Sequence, residues 1–455
     1  MLARAGRSVR VLEAAETVGG GSRTAELTLP GFRHDVCSAI HPLAVASPLF
    51  AELPLGDHGL VWIDPPAALA HPLDDGTAAL LLESVDATAE TLRVDAQAYR
   101  RLMRPLAADA RTIIQEIQGP LRLSPLRHPL AMARYGLQAL LPASLFARRR
   151  FRGTHARALF AGMAAHSMLR LEQPISAAFG LTLAMSAHAV GWPMARGGSQ
   201  RIVDALAAHL RELGGAIVTG CRVNALSELP PCAAVLFDLT PRQVVAIAGD
   251  VLQSRYRRKL EAYRYGPGVF KVDYALDGPI TWRAQECLRA GTVHLGGTLP
   301  EIAASERAVA RGGVPERPFV LVAQQSLFDT TRAPEGKHTA WAYCHVPHGS
   351  GADMTEAITA QIKRFAPGFQ DRVMATHTMN AVELEQYNAN YVGGDINGGI
   401  QDLGQLFTRP TLQVNPYTTP NPRLFICSSA TPPGGGVHGM CGYWAARAAL
   451  STVLR

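Results

Sequence analysis

The sequence predicts a two-domain α/β fold: one domain is assembled from separate stretches of chain, and an α+β domain is inserted between them. Three observations predict it. The chain has 455 residues, more than one hydrophobic core usually organises. Short apolar strands alternate with helices near residues 10, 216 and 424, whereas the long middle first carries helical periodicity and then strand-like alternation. Glycine clusters follow the first and last of these strands, where an α/β unit places its ligand.

In chain order, residues 1–6 read as the last turn of a helix capped by Gly6, and residues 9–13 as a strand ending on Glu13. Helical periodicity dominates residues 51–195, most clearly over 96–118 and 157–169. The apolar, Arg-flanked segment 128–151 reads as a solvated helix pair, a lid, or a segment lying on a membrane surface. Residues 173–195 form a long run without Asp, Glu, Lys or Arg, but Pro174, Gly191 and Pro193 favour a buried helix over a membrane span. After Trp192 come a glycine turn, an amphipathic helix over 199–213, strands over 216–219 and 233–238, and a helix from about Pro241. Alternation over 268–276 and 318–346 predicts an antiparallel sheet. Residues 424–427 are a buried strand, and a helix opening at Val437-His438-Gly439 runs to the C-terminus.

Hydrophobic residues make up 47% and charged residues 18%, which excludes a disordered chain. The net charge of +7 comes from 40 Arg and 4 Lys scattered along the chain rather than arrayed on one face, so nucleic-acid binding is not expected. Seven cysteines at 37, 221, 232, 287, 344, 427 and 441 offer no CxxC and no zinc-ligand spacing. Reduced thiols, no metal site and a cytoplasmic location, with peripheral membrane contact through 128–151, are the expectations.

Two stretches carry chemistry. Glu13, at a strand's carboxyl end, can accept hydrogen bonds from the two hydroxyls of an adenosine ribose and disfavours a 2′-phosphate. Gly19, Gly20, Gly21 and Ser22 form a bend whose N–H groups can face a pyrophosphate, with Arg23 supplying a cation and Thr24 a hydroxyl. At the other end, Ser428 and Ser429 leave the last strand. Gly435 and Gly436 then shape a turn into Val437, His438, Gly439 and Met440, whose N–H groups suit the electron-rich edge of a flavin. His438 is the candidate catalytic residue, placed to polarise the ring or shuttle a proton. His41, Tyr391 and Asp395 are weaker candidates, with core or turn duty as their simpler reading.

These ends, the central GWPMARGGSQRIVDAL and the stretches HDVCSAIHPLA, NANYVGGDINGG and SSATPPGGGVHGMCGYWAARAA make the chain resemble the FAD-dependent phytoene desaturase-like oxidoreductases. The nearest branch is that of pyridine nucleotide-disulfide oxidoreductase domain-containing protein 2. The resemblance covers nearly the whole chain. It implies a glutathione-reductase-like Rossmann-type domain from residues 1–50, 192–265 and 400–455, with a substrate domain from 51–191 and 266–399. It also implies that Val223 meets adenine through its backbone and that Gly436 to Met440 lie beneath the isoalloxazine.

The sequence departs from this family in two ways. The resemblance implies a strand and a GxGxxG loop before the helix that ends in LARAG, placed between residues 9–12 and 424–427, and the chain opens after them; weakened or absent FAD binding is the resulting expectation. Ser428-Ser429 stands where Gly-Asp is common, and the dithiol in the branch's name has no counterpart. The expected function is FAD-dependent hydride transfer on a small apolar, isoprenoid- or lipid-like substrate. A redox-neutral flavin isomerase and a cofactor-free binding protein are the alternatives.

Overall fold

The computed structural model describes residues 1–120 and 127–455. A single 3-10 turn, Ala3–Ala5, ends on Gly6 at φ 72° and leads into β1 (Arg10–Leu12). A hairpin of β2 (Thr24–Glu26) and β3 (Arg33–Asp35) follows. Then come β4 (Trp62–Ile63), β5 (Ala67–Pro72) and β6 (Ala78–Leu81), in a region whose periodicity predicts helix alone. The reason is a tight turn: Gly76 at φ 80° and the Asp75 carboxylate, bonded to the Thr77 N–H and hydroxyl, reverse the chain between two apolar runs.

The helical layer comes next. Residues 96–118 form two helices, Ala96–Ala108 and Ala110–Ile117. Segment 128–151 forms the pair Pro129–Ala139 and Ala143–Arg150. Helices Thr154–Ala165 and Ser176–Val190 are apolar nearly all round and lie inside the layer. Gly180 lets Phe160 approach so closely that a β-carbon would meet its ring at 2.9 Å. No helix among the described residues is long and apolar enough to cross a membrane.

β7 (Met194–Ala195) pairs with β4, and the amphipathic helix Gln200–Glu212 buries Ile202, Ala205 and Ala207. β8 (Ala216–Val218) runs parallel to β1, with Val11 opposite Ile217. β9 (Val235–Phe237) runs parallel to the last strand, β15 (Leu424–Ile426), with Phe425 opposite Leu236. Helices Pro241–Ala248 and Ser254–Glu261 cover one side of that pair through Val244 and Leu260. The terminal helix Met440–Ser451 covers the other through Ala445 and Ala449.

Between β9 and β15 the chain supplies β10 (Gly268–Leu276), β11 (Ala290–Leu295), β12 (Val320–Ala323), β13 (His338–Val346) and β14 (Val373–Met379). With β5 and β6 they form a seven-stranded sheet in the order β14-β10-β13-β12-β11-β5-β6, antiparallel except where β11 meets β5. Because side chains alternate along a strand, its two faces differ. Phe270, Val272, Val320, Val322, Ala342 and Cys344 look outward onto helix Thr355–Phe365 through Ile358 and Ile362. The opposite face carries Lys271, Asp273, Trp341, Tyr343, His345 and His294 toward the helical layer and the N-terminal hairpin.

Candidate functional site

β1 and β9 each end on a carboxylate. The Glu13 N–H donates to the Val218 carbonyl and its carbonyl accepts from the Cys221 N–H, both at 2.8 Å, so the strand is held to its last residue. Glu13 Oε1 accepts the Ala15 N–H at 2.8 Å and lies 3.5 Å from the Arg23 guanidinium, while Oε2 has no partner among the described residues. Asp238, just past β9, is solvent-accessible within densely packed surroundings. Burial by the surrounding walls, then the charge of Glu13, push its pKa up to about 6. The same carboxylate acts on the thiols of Cys427, past β15, and Cys441, in the first turn of the terminal helix. The carboxyl ends of β1, β9 and β15 and the start of that helix therefore face one cleft, although distant in sequence.

The glycine bend lies beside Glu13, with Gly19 at φ 141° and Gly20 at φ 53°. The N–H groups of Gly20 and Gly21 have no acceptor among the described residues. Arg23 is not free to roam: its guanidinium donates to the Thr17 carbonyl at 2.6 Å and stacks over Tyr387. The Thr24 hydroxyl donates to Asp35 at 2.8 Å and accepts from the Gln200 N–H at 3.1 Å, bonds internal to the fold. Ser22 is buried beside Ser38. Val223 lies past β8 with its main-chain N–H and carbonyl unpaired among the described residues.

At the C-terminal end the turn includes Gly434, Gly436 and Gly439, all at positive φ, and the helix starts at Met440 rather than at Val437. Gly439 in the left-handed region cannot be helical, which moves the first turn three residues on. His438 is buried, and both ring nitrogens are engaged: Nδ1 accepts the Met440 N–H at 3.0 Å and Nε2 faces the Gly434 carbonyl at 3.2 Å. Burial lowers its pKa to about 4, so the ring is neutral and braces the turn. Val437 is half-buried against Leu55 and Leu60. The Ser428 hydroxyl turns inward to the Leu239 carbonyl at 2.8 Å, and the Ser429 carbonyl accepts from Arg409 at 2.9 Å. Gly435 packs on Asn397, whose carbonyl a β-carbon would meet at 2.9 Å. The N–H groups of Cys441 and Gly442 have no acceptor among the described residues.

Residues 388–399 bridge the two glycine stretches. Tyr391 lays its hydroxyl on Gly21, and Gly398 lies under Ser429. Asp395, buried, accepts the N–H groups of Gly266, Asn397 and Gly399 at 2.7 to 2.8 Å and so shapes the loop. His41 is a core histidine: it is bonded to Ser199 at 2.9 Å, and burial takes its pKa to about 4.

The sequence reading missed the charged centre of the sheet. Lys271 and Asp273, both buried, form an ion pair at 2.5 Å on the inward face of β10. His34 and His377 each bring Nδ1 to 3.6 Å from Asp273 without bonding it. The Lys271 charge reaches the Cys37 thiol, which bonds Tyr391; burial raises that thiol more than Tyr391 and Lys271 lower it. The signal was present in VFKVDYAL, where Lys and Asp share one face of an otherwise apolar strand.

Asp35 ties the site's supports together. It accepts the Ser199 N–H at 2.8 Å, the Thr24 hydroxyl, Gln325 at 3.2 Å and the fully buried Arg332 at 3.0 Å, and Arg332 also grips Asp329 at 2.9 Å.

The cleft's donors and acceptors fit FAD. Glu13 Oε2 is available to ribose hydroxyls, the Val223 main chain to adenine, the Gly20 and Gly21 N–H groups to phosphate oxygens, and the Cys441 and Gly442 N–H groups to the electron-rich ring edge.

Comparison with known proteins agrees. The chain is 24% identical over 522 residues to pyridine nucleotide-disulfide oxidoreductase domain-containing protein 2 of Rattus norvegicus, covering 97% of this chain and 89% of the rat protein. An oxidoreductase from Methanosarcina mazei shares its fold, with a TM-score of 0.65 at 14% identity over 99% of this chain and 96% of that one. So does cyclohexylamine oxidase from Brevibacterium oxydans, at 0.57 and 13% over 100% and 95%. With residues 1–441 matching the family described as flavin containing amine oxidoreductase, the chain belongs to that family of FAD-dependent oxidoreductases.

Proposed function

We propose that this FAD-dependent oxidoreductase acts on an apolar, isoprenoid- or lipid-like substrate rather than on a free amine. The observation that carries the reading is the enclosure of the Lys271–Asp273 pair. It sits on the inward sheet face beside Trp341 and Tyr343 of β13, His34 of β3, His377 of β14 and, through Cys37, Tyr391, and both partners are almost wholly buried. FAD, when bound, supplies the two-electron acceptor or donor for hydride transfer. The protein's share is a dry chamber, an oriented substrate, and a buried ammonium with donors left over to hold a water or a proton acceptor. In this reading β8–β1 and β9–β15 belong to one glutathione-reductase-like nucleotide domain from residues 1–50, 192–265 and 400–455, and residues 51–191 and 266–399 enclose the substrate.

Delivery from a lipid surface accords with the 129–150 helix pair. It exposes Leu130, Leu137 and Leu140 at 82, 76 and 50% beside the exposed Arg148, Arg149 and Arg150.

The test is anaerobic mixing of flavin-loaded protein with an isoprenoid in detergent and, separately, with primary amines. Bleaching of the visible flavin band by the isoprenoid alone is expected. Bleaching by amines alone overturns the substrate class, and product without bleaching points to a redox-neutral isomerase.

A further inference from the structure

The last turn of helix Gln200–Glu212 carries His209 and Glu212 three residues apart, on one helix face. The loop before β4 brings His58 against them. His58 Nε2 and His209 Nδ1 each lie 3.2 Å from Glu212 Oε2, and the imidazole centroids are 5.4 Å apart. One nitrogen from each histidine and one carboxylate oxygen fall within 4.8 Å of one another. Ligands of a tetrahedral zinc ion at about 2.0–2.1 Å stand about 3.3 Å from each other, so both 3.2 Å spacings match an edge of that tetrahedron. A second observation concerns alignment. His209 Nδ1 hydrogen-bonds Glu212 Oε2, whereas His58 Nε2, buried and equally close, is not aligned for a hydrogen bond and is left without a partner among the described residues, free to take an ion.

We propose that His58, His209 and Glu212 bind one zinc ion, with water in the fourth position. Two imidazoles and one carboxylate suit zinc and are poor for magnesium or calcium, which take oxygen ligands. The two histidine side chains are only 16 and 14% exposed, whereas Glu212 is 63% exposed and leaves an entry path. The site lies at the helix's carboxyl end, whose partial negative charge favours a cation. Its ligands are some 150 residues apart, which is why no sequence spacing announces it.

The ion acts as a clip. The same helix begins at Ser199 and Gln200, which dock on Asp35, Thr24 and Val18 beside the Gly19 bend. Thirteen residues put the metal about 20 Å from that end, too far for chemistry but in line to steady the helix that supports the cofactor cleft. The clip stands whether or not the proposed substrate class is right.

Titration calorimetry of chelator-stripped protein with zinc chloride, followed by thermal melts, tests it. One equivalent is expected to bind and to raise Tm by a few degrees, while magnesium at the same concentration does neither. His58→Gln and His209→Gln each weaken binding by at least about tenfold, and Glu212→Gln, at an exposed position, does so without touching the packing. Circular dichroism of the metal-free variants reports their fold. The absence of saturable zinc binding by wild type overturns the proposal, as does binding that survives Glu212→Gln together with His209→Gln.

Discussion

Gly21 and Tyr391 meet without any gap: the space a β-carbon on Gly21 would fill is already held by the Tyr391 hydroxyl. Gly21 has no positive φ, so its need for glycine is this contact alone. Gly21→Ala is expected to push the 388–399 loop off the bend, to cost about 1–3 kcal/mol and to lower flavin content. Adding Tyr391→Phe removes the colliding atom and restores both. Flavin-to-protein absorbance ratios and urea melts of the two variants check this.

Lys271 and Asp273 are buried together, so removing one partner strands the other. Lys271→Met is expected to cost about 3–5 kcal/mol, whereas Lys271→Met with Asp273→Leu returns to near wild-type stability. Both variants keep their flavin and lose substrate-driven flavin reduction. A double variant with wild-type reduction rates removes the pair from the chemistry.

Arg332 neutralises Asp35 and Asp329 at once. Arg332→Ala is expected to cost about 3–5 kcal/mol and to empty the cleft of flavin, because Asp35 also holds Thr24 and Ser199. Arg332→Lys recovers only part, since an ammonium cannot reproduce the forked grip. Burial alone raises the Asp35 pKa; Arg332, the Ser199 N–H and the Thr24 hydroxyl outweigh it, and the net shift is downward. Stability from this group is therefore present above the ordinary carboxylate pKa and lost as pH falls through the lowered value. Denaturant melts at acid pH, wild type against Arg332→Lys, show the difference.

A steeper acid limb comes from buried neutral histidines. Burial lowers His34, His41, His71 and His438 to about 4 and His166 to about 3. The unfolded chain takes up protons from about pH 6.5, while the folded chain does not until about pH 4. Stability is therefore full above about 6.5 and falls as pH drops toward 4. Denaturation midpoints across that range are expected to fall steeply, and less so in His438→Gln, where one such proton is removed from the balance.

Much of this molecule was legible where one local rule acted alone. The amphipathic period over 199–213 gives helix Gln200–Glu212, and alternation over 268–276 gives β10 to the residue. Where rules competed, the reading failed. The Asp75-Gly76 pair is a hairpin signal, but the apolar runs around it matched a helical period too, and β5 and β6 were hidden. Pro105 and Asp109 fall within the run read as one helix, which is two. Glu13 and the two glycine clusters stand out because strand ends and glycines are local features. That the Asp238 charge acts on Cys427 and Cys441, that Tyr391 rests on Gly21, and that the Lys271 charge reaches Cys37 depend on segments hundreds of residues apart, which no period records.

The seven-stranded sheet acts as a partition. Its outward side, from Phe270 to Cys344, is greasy ballast against helix Thr355–Phe365, while the ionisable inward positions lie on the other. Substitutions can therefore accumulate on the two sides independently: drift outside tunes how firmly the scaffold holds, and drift inside changes the charges and rings that face the helical layer and the N-terminal hairpin. An architecture kept while its inner face changes is the outcome such a wall permits.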